Sequence, residues 1–205
     1  QDNLLLMLDS DGKEIFQKPD LPDRLKALCV QNKYLLLSGK LYGADYGILL
    51  SDSGDTVWQL PLDGSIISGS VHPKGIYTAF NIIDDNAKSR LVVIGPTGEV
   101  LIDNSYETHI YQINTVSEGI GIIAENRAFL IDYNGRLLWE YKFSGQVLRG
   151  DISNEGFITV VVEENIGTLS QDVHPILIML SNHGKHVCSF SLDTRANLVD
   201  KHGDF

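Results

Sequence analysis

A short pattern of apolar and polar positions returns five times along the chain. In each copy an apolar run meets a four-residue segment that ends in glycine, and large apolar residues follow three and four positions later. Short apolar runs on both sides of a turn predict β-hairpins, and glycine supplies the positive φ that closes such a turn. The five turn glycines, spaced 42, 44, 37 and 49 residues apart, are Gly12, Gly54, Gly98, Gly135 and Gly184.

A second strand–turn–strand pattern lies between these hairpins with the same period. It centres on the turns at 71–75, 116–119 and 152–156, and a copy without glycine lies at 30–33. The two patterns together predict four strands per repeat, connected as an antiparallel meander. A repeat of about 40–45 residues with strand content is typical of a β-propeller.

We therefore predict an all-β fold, a β-propeller of four-stranded antiparallel blades. The four complete blades are expected at about 25–62, 65–104, 109–142 and 146–192. Residues 4–17 form half a blade, with its third and fourth strands only, and 197–205 resemble the opening of a partial blade. The chain is thus one propeller domain, 1–205, or part of a larger propeller.

Two arrangements of the ends are open. One is a ring whose last blade is completed by both termini, and the other is a piece of a larger propeller. The second is favoured because residues 197–205 break off before a second strand could form. The end blades would then present apolar faces that invite self-association. Residues 20–28 are the one candidate for a turn of helix.

The charge of the chain narrows the classes of partner. The formal net charge is −11 at pH 7, and such an acidic surface repels phosphate backbones and anionic lipid heads. We therefore expect no nucleic-acid partner. The chain has no apolar run of the roughly 18 residues that a transmembrane helix needs. Because the sequence begins with Gln1 and not with Met, the removal of an upstream signal or anchor stays an open alternative.

The repeat position four residues after the turn glycine is occupied by apolar side chains. We therefore predict that Trp58 and Trp139 are core residues and that Cys188, in the same position, is an apolar residue of the core. Cys29 falls in a first strand, and a disulfide to Cys188 would need ring closure to bring the end blades together. Two cysteines leave the redox compartment open.

Two segments resemble known repeats. Gly135 to Lys142, which contains Trp139-Glu140-Tyr141, and Gly54 to Leu60 are similar to the glycine-to-tryptophan strand of pyrroloquinoline-quinone-like propeller repeats. The turns at 71–75 and 152–156 resemble WD-like and related bacterial repeats. The resemblance covers most of 4–192 and implies the fold. The chain lacks the adjacent cysteine pair and the eight blades of the cofactor-using enzymes, which favours a non-enzymatic branch and no cofactor.

The connections between strands divide between the two faces of such a propeller. The tight glycine turns share one face, whereas the second-to-third-strand connections at 39–46, 83–89, 125–127 and 163–174 share the other and vary in length. Variable loops on a rigid frame are common binding sites. The candidate partner-binding residues in these loops are Tyr42, Asp45, Tyr46, Asp84, Asp85, Glu163 and Glu164.

No residue is assigned to catalysis, a cofactor or a metal. His183 and His186 with His174 suggest a metal, but His183 is a turn residue and neighbouring strand residues point to opposite faces. Asp84-Asp85-Asn86 lacks the dense oxygen spacing of a calcium loop. The chain contains no G-x-S-x-G, P-loop or C-x-x-C motif.

The leading hypothesis is therefore a non-enzymatic scaffold that binds a protein or polymer through its variable loops. An extracytoplasmic or cell-envelope location is expected, with the cytoplasm as an open alternative. The other hypothesis is an enzyme or small-ligand-binding propeller whose site is built in the central channel from one or two residues per blade. Such a site leaves no local motif.

Overall fold

A computed structural model describes residues 4–8, 10–19, 21, 23–31, 33–75, 77–165 and 173–192, and in these residues all regular structure is β. The chain divides into two compact units, Gln1–Ser105 and Tyr106–Phe205. The predicted partial blade at 197–205 lies outside the described residues. No helix that is long and apolar enough to cross a membrane occurs in the part of the chain that the structure describes.

The first unit contains a two-stranded sheet and two four-stranded sheets, each antiparallel with its strands in chain order. The two-stranded sheet is formed by β1 (Leu5–Leu8) and β2 (Glu14–Lys18). The next consists of β3 (Asp23–Gln31), β4 (Tyr34–Leu41), β5 (Ala44–Ser51) and β6 (Thr56–Pro61). The third consists of β7 (Ser65–Val71), β8 (Thr78–Ile83), β9 (Ser89–Ile94) and β10 (Val100–Tyr106).

The second unit contains two four-stranded sheets with the same strand order. One is formed by β11 (Ile110–Val116), β12 (Gly119–Ala124), β13 (Arg127–Ile131) and β14 (Leu137–Lys142). The other is formed by β15 (Gln146–Ile152), β16 (Ile158–Asn165), β17 (Val173–Leu180) and β18 (His186–Ser191). The predicted four-stranded antiparallel blades, with a half blade at the start, are confirmed.

One local prediction is wrong. The candidate turn of helix at 20–28 falls mostly within β3, which pairs with β4 from Asp23 opposite Lys40 to Gln31 opposite Tyr34. The register shifts twice along this pair. Cross-strand pairing outweighs the weak local helix preference here, as tertiary context usually does.

The predicted turn glycines are confirmed. All five have positive φ, between 71° at Gly184 and 90° at Gly98. The first residue of the turn also binds the backbone of its own turn. Asp132 Oδ1 accepts hydrogen bonds from the backbone N–H groups of Asn134 and Arg136, and Gly135 N–H donates to Asp132 O at 3.0 Å.

Neighbouring sheets stack through these glycines. A Cβ atom built on Gly54 would lie 2.6 Å from the ring of Phe16, and one on Gly98 would lie 3.1 Å from Trp58. In the second unit a Cβ on Gly184 would lie 2.5 Å from the ring of Trp139. Gly54, Gly98 and Gly184 therefore each pack against the side chain that follows the previous turn glycine by four residues.

The tryptophan prediction is confirmed for Trp58, which is 6% exposed and packs edge-on against Phe80. Trp139 and Cys188 are half-buried, so this position is less enclosed in the second unit. Trp139 Nε1–H donates to the carbonyl oxygen of Asn182 at 2.9 Å, which ties it to the turn that packs on it. Both cysteines are free thiols.

Each unit has an apolar core between its sheets. In the first unit Leu36, Phe80 and Val92 belong to one cluster, and in the second Ile123, Val160 and Ile178 belong to another. The first strands of consecutive sheets contact each other within each unit, β3 with β7 and β11 with β15. The first strand is therefore the one at which consecutive sheets converge, as at the inner edge of propeller blades.

Candidate functional site

The predicted binding loops lie at one end of the sheets, where second strands connect to third strands and one sheet leads to the next. We call this end the connection face and describe it in each unit separately. In the first unit the β4–β5 connection has only two residues, Tyr42 and Gly43, with φ of 51° and 87°. Two consecutive residues with positive φ form the type I′ turn that suits a two-residue hairpin.

Tyr42 stands at the tip of this hairpin and is 97% exposed. The predicted loop 39–46 is therefore wrong in extent, because Asp45 and Tyr46 lie in β5. Asp45 forms a cross-strand ion pair with Lys40 at 3.3 Å, and Tyr46 packs against the cluster that contains Leu35. Of the three candidates in this segment, only Tyr42 is presented to solvent at a turn.

The β8–β9 connection is a real loop, and Asp84 shapes it. Asp84 Oδ1 accepts hydrogen bonds from the backbone N–H groups of Asn86 and Lys88, both at 2.9 Å. Ala87 has a φ of 60°, a left-handed backbone that the loop imposes on a residue other than glycine. The Asp84 carboxylate therefore holds the loop together, whereas Asp85 is exposed at its tip.

Arg90, which the sequence did not single out, bonds two segments at this end of the third sheet. Arg90 binds both carboxylate oxygens of Asp103 at 2.6 Å through Nε and Nη2, and its Nη1 donates to the carbonyl oxygen of Asp63 at 2.9 Å. The hydrogen bonds from Arg90 lower the pKa of Asp103, and the same pairing raises the pKa of Arg90. The bidentate pair with Asp103 orients the guanidinium, and the remaining Nη1 binds the connection at Asp63 to the sheet.

In the second unit, backbone bonds join the connections of the face. Glu125 and Asn126 form the two-residue β12–β13 turn. Phe143 N–H donates to Asn126 O at 2.8 Å, and Val147 N–H donates to Glu125 O at 2.7 Å. The first unit repeats the arrangement, since Leu62 N–H donates to Asp45 O at 2.8 Å. Within each unit, main-chain hydrogen bonds therefore hold the connections in place.

These connections enclose a shallow hollow of about 460 Å³ in the second unit. Gln146 Nε2 lies 3.4 Å from the hydroxyl oxygen of Tyr111, whose ring packs edge-on against His109. The hollow thus has polar rims with aromatic side chains beside it. It is lined by Glu125, Asn126, Phe143, Ser144, Gly145 and Gln146.

The last two predicted residues lie in a strand and not in a loop. Glu163 and Glu164 belong to β16, which continues to Asn165 and pairs there with Val173 of β17. Glu163 is directly opposite Gln146 on β15, and Gln146 is one of the residues that line the hollow. The remainder of the predicted loop 163–174, residues 166–172, lies outside the described residues.

In the described residues, no group of three or more histidine, cysteine, aspartate or glutamate side chains is placed to hold a metal ion. His183 and His186 are exposed on the β17–β18 hairpin, where the backbone N–H of His183 lies 3.3 Å from Ser181 Oγ. The side chain of His174 is outside the described part of the chain.

A buried histidine lies at the opposite end, in the β7–β8 turn. His72 is 6% exposed, and its Nδ1 accepts a hydrogen bond from the backbone N–H of Lys74 at 3.1 Å. Burial, and then the charge of Lys74, lower the pKa of His72 below its ordinary 6.5. An Nδ1 that accepts a hydrogen bond belongs to the neutral imidazole.

We expect this histidine to make stability depend on pH. The unfolded chain binds a proton as pH falls through about 6.5, whereas folded His72 resists it, so stability should decrease below that pH. His72→Asn keeps a side-chain acceptor for Lys74 and should flatten the difference in urea midpoint between pH 7.5 and 5.5. His72→Ala, which loses the acceptor, should be less stable at both pH values. An unchanged pH difference in His72→Asn would contradict the assignment.

Comparison with solved structures identifies the fold. The WD40 domain of Pan2 from Neurospora crassa matches 92% of this chain with a TM-score of 0.58 at 14% identity. The dihydro-heme d1 dehydrogenase NirN matches 94% with a TM-score of 0.68 at 10% identity. The β-propeller domain of the trilobed protease from Pyrococcus furiosus matches 82% with a TM-score of 0.57 at 10% identity.

These similarities confirm the β-propeller fold, and at such identities they show the fold alone. The chain spans 60%, 42% and 56% of the lengths of these three structures. No protein-family model matches the sequence, and no curated protein matches it. The pyrroloquinoline-quinone-like branch that the repeats resemble is not distinguished from other propellers by these matches.

Proposed function

We propose that this chain is a non-enzymatic interaction scaffold that binds a protein or polymer through its connection face. The observation that carries the proposal is Tyr42, which is 97% exposed on a two-residue turn with a φ of 51°. Bulky residues rarely adopt positive φ, and strained residues of this kind concentrate at functional sites. A fully exposed aromatic on a rigid hairpin is a suitable anchor for a partner.

The fixed backbone of the face supports the same proposal. Main-chain hydrogen bonds hold the connections of both units, so little conformational entropy is lost when a partner binds. In the second unit, considered by itself, the connections form a shallow hollow lined by Gln146, with Tyr111 near Gln146 and Glu163 opposite it. A shallow, polar and aromatic surface suits an extended partner with donors or cationic groups better than a small molecule that needs enclosure.

The test compares the two ends of the first unit with a photo-reactive phenylalanine analogue incorporated at single positions. Tyr42 and Asp85 sample the connection face, and Asp52, exposed in the β5–β6 turn, is the matched control at the other end. In cells of the source organism, we expect defined crosslinked products from positions 42 and 85 and none from 52. Equal products from all three positions, or none from 42 and 85, would contradict the proposal.

If Tyr42 is retained for binding, its removal should stabilise the fold. Tyr42→Asn creates the Asn-Gly pair that a type I′ turn prefers, so we expect the free energy of unfolding to rise by about 0.5–1 kcal/mol. Crosslinking from position 85 should be lost in the same variant. Tyr42→Ala keeps the strained φ without the ring and should lose crosslinking with no gain in stability. Urea unfolding of both variants checks the prediction.

The extracytoplasmic or envelope location is part of the proposal and rests on the resemblance of the repeats to bacterial propeller repeats. Fractionation of cells that express the native gene, with the chain detected by antibody, tests it. Recovery with the cytoplasmic fraction would limit the proposal to the scaffold function.

A further inference from the structure

The hollow of the second unit is lined mainly by polar residues. Asn126, Ser144 and Gln146 are exposed there, and each of these side chains has both a hydrogen-bond donor and an acceptor. Glu125 adds a carboxylate, and Phe143, which is 7% exposed and belongs to the core cluster, is the apolar residue of the lining. The hollow therefore combines paired donors and acceptors with one aromatic residue of the core.

A β-bulge places a tyrosine beside this lining. The register of β11 with β12 shifts between Ile110 and Gln112, so Tyr111 is an extra residue in β11. Its ring packs against the apolar core of the second unit, and its hydroxyl oxygen lies 3.4 Å from Nε2 of Gln146. Bulges commonly redirect a side chain next to a functional site.

The bulges of the other sheets show which side chain the packing itself requires. The first strands β3, β7 and β15 also contain extra residues, namely Leu28, Ile67 and Leu148. All three are aliphatic, whereas Tyr111 has a hydroxyl group. An aliphatic side chain therefore satisfies the repeat, and the hydroxyl beside the hollow has no explanation in packing.

The size and the polarity of the hollow suit a ligand that is itself rich in hydroxyl groups. The volume of about 460 Å³ lies within the roughly 300–1,000 Å³ of small-molecule sites, but the hollow is open to solvent. A ligand that enters a polar, solvent-filled hollow must replace the hydrogen bonds of the water that it displaces, or it loses affinity. Neighbouring hydroxyl groups of a sugar ring can do so, because each of them both donates and accepts.

The charges around the hollow favour a neutral ligand. Glu125 lines it, and Glu163 lies across the β15–β16 pair from another lining residue. Two cationic residues are next in sequence to the lining, since Arg127 is opposite Lys142 at this end of the β13–β14 pair, and Arg127 binds Glu140 at 2.8 Å. A strongly anionic or strongly cationic ligand would therefore meet charges of its own sign.

We infer that this hollow binds a neutral polysaccharide, with the side-chain amides of Asn126 and Gln146 bound to neighbouring sugar hydroxyls and the hydroxyl of Tyr111 beside them. The inference rests on the proposed function and names the class of polymer that the connection face takes. A polymer fits because the hollow is shallow and open, so that a short stretch of sugar units occupies it while the rest of the chain continues outside.

Native affinity electrophoresis of the full chain tests the inference. Separate gels contain dextran, laminarin, xyloglucan or galactomannan, which are soluble neutral polysaccharides, and a further gel contains the polyanion polygalacturonate. We expect at least one of the neutral polysaccharides to retard the chain relative to a non-binding reference protein, and polygalacturonate to leave its mobility unchanged. No retardation in any of the neutral gels would overturn the inference.

Substitutions in the hollow locate the binding. Gln146→Ala removes an amide, and Tyr111→Leu introduces the aliphatic side chain that other bulges carry, so it should fold. Each should raise the dissociation constant for the retarding polysaccharide about two- to tenfold, the effect of one lost hydrogen bond. Tyr111→Phe keeps the ring, should show the same loss, and keeps the test valid if Tyr111→Leu fails to fold.

The matched control is Gln59→Ala, which removes an exposed glutamine from β6 of the first unit. It should bind like the wild type, and circular dichroism should show that all variants are folded. Binding that is unchanged in Gln146→Ala and in the Tyr111 variants would place the polysaccharide elsewhere and overturn the inference.

The outcomes separate this inference from the proposed function. Crosslinked protein products from positions 42 and 85, with no retardation by a neutral polysaccharide, would overturn the inference and leave the scaffold function standing. Retention by a gel that contains a lysine-rich peptide, and by no polysaccharide gel, would identify a cationic protein segment as the occupant and would also overturn it. Retardation that the hollow variants weaken would support the inference even without crosslinks from 42 and 85, because those positions sample the first unit.

Discussion

Replacing Trp58 with alanine should lower the free energy of unfolding by about 3–5 kcal/mol, the usual cost of truncating a buried aromatic. The ring is 6% exposed, packs edge-on against Phe80 at a centroid distance of 6.0 Å, and lies under the Gly98 turn of the next sheet. Loss of the ring would therefore leave a cavity between two stacked sheets of the first unit. It would also remove the side chain on which the Gly98 turn packs. Urea unfolding followed by circular dichroism measures the change.

The control substitution uses the polar atom of the ring. Among the described residues, Trp58 Nε1 is a buried donor with no hydrogen-bond partner, whereas Trp139 Nε1 donates to Asn182 O. Trp58→Phe removes an unsatisfied donor along with some volume, so its net cost should stay below about 1.5 kcal/mol. Trp139→Phe removes the same side-chain volume but also loses the hydrogen bond to Asn182 O. It should therefore cost more stability than Trp58→Phe. A loss of less than about 2 kcal/mol in Trp58→Ala would show that this position tolerates a cavity.

The repeat made the sheets predictable, because local chemistry sets each turn. Gly98 and Gly135 occupy turns whose backbone has positive φ, and only the apolar runs around them had to be recognised as strands. The ends of the sheets were harder. At 20–28 the local composition favoured a helical turn, but pairing with β4 over the whole of Asp23–Gln31 decided the conformation. That pairing is a long-range effect that no window of sequence reveals.

The sequence predicts which strand connections share one end of the sheets, but not the detail of each connection. Tyr42-Gly43 is an uncommon pair for a type I′ turn, so no local signal marks a two-residue turn within the predicted connection 39–46. The signal that could have corrected this is the pair Lys40 and Asp45, whose opposite charges suit cross-strand partners. The hollow beside Gln146 could not have been predicted, because it depends on how separate connections pack.

The ion pair of Arg90 could not be predicted from the local sequence either. Its partner Asp103 is thirteen residues away on the next strand, and the contact depends on the register of β9 with β10. A shift of register by one residue would place the two side chains on opposite sides of the sheet. The sequence contains many acidic residues, and nothing local distinguishes Asp103 from the others.

Gly184→Ala should destabilise the protein far more than Gly12→Ala, although the two glycines occupy equivalent turns with φ of 71° and 79°. The left-handed backbone should cost each variant about 1–2 kcal/mol. The new methyl at 184 would also lie 2.5 Å from the ring of Trp139, and such overpacking adds about 1–3 kcal/mol. At position 12 the methyl would meet no atom within 4 Å. Urea unfolding of dilute protein measures both, and equal losses would show that backbone strain, and not packing between sheets, maintains glycine at these turns.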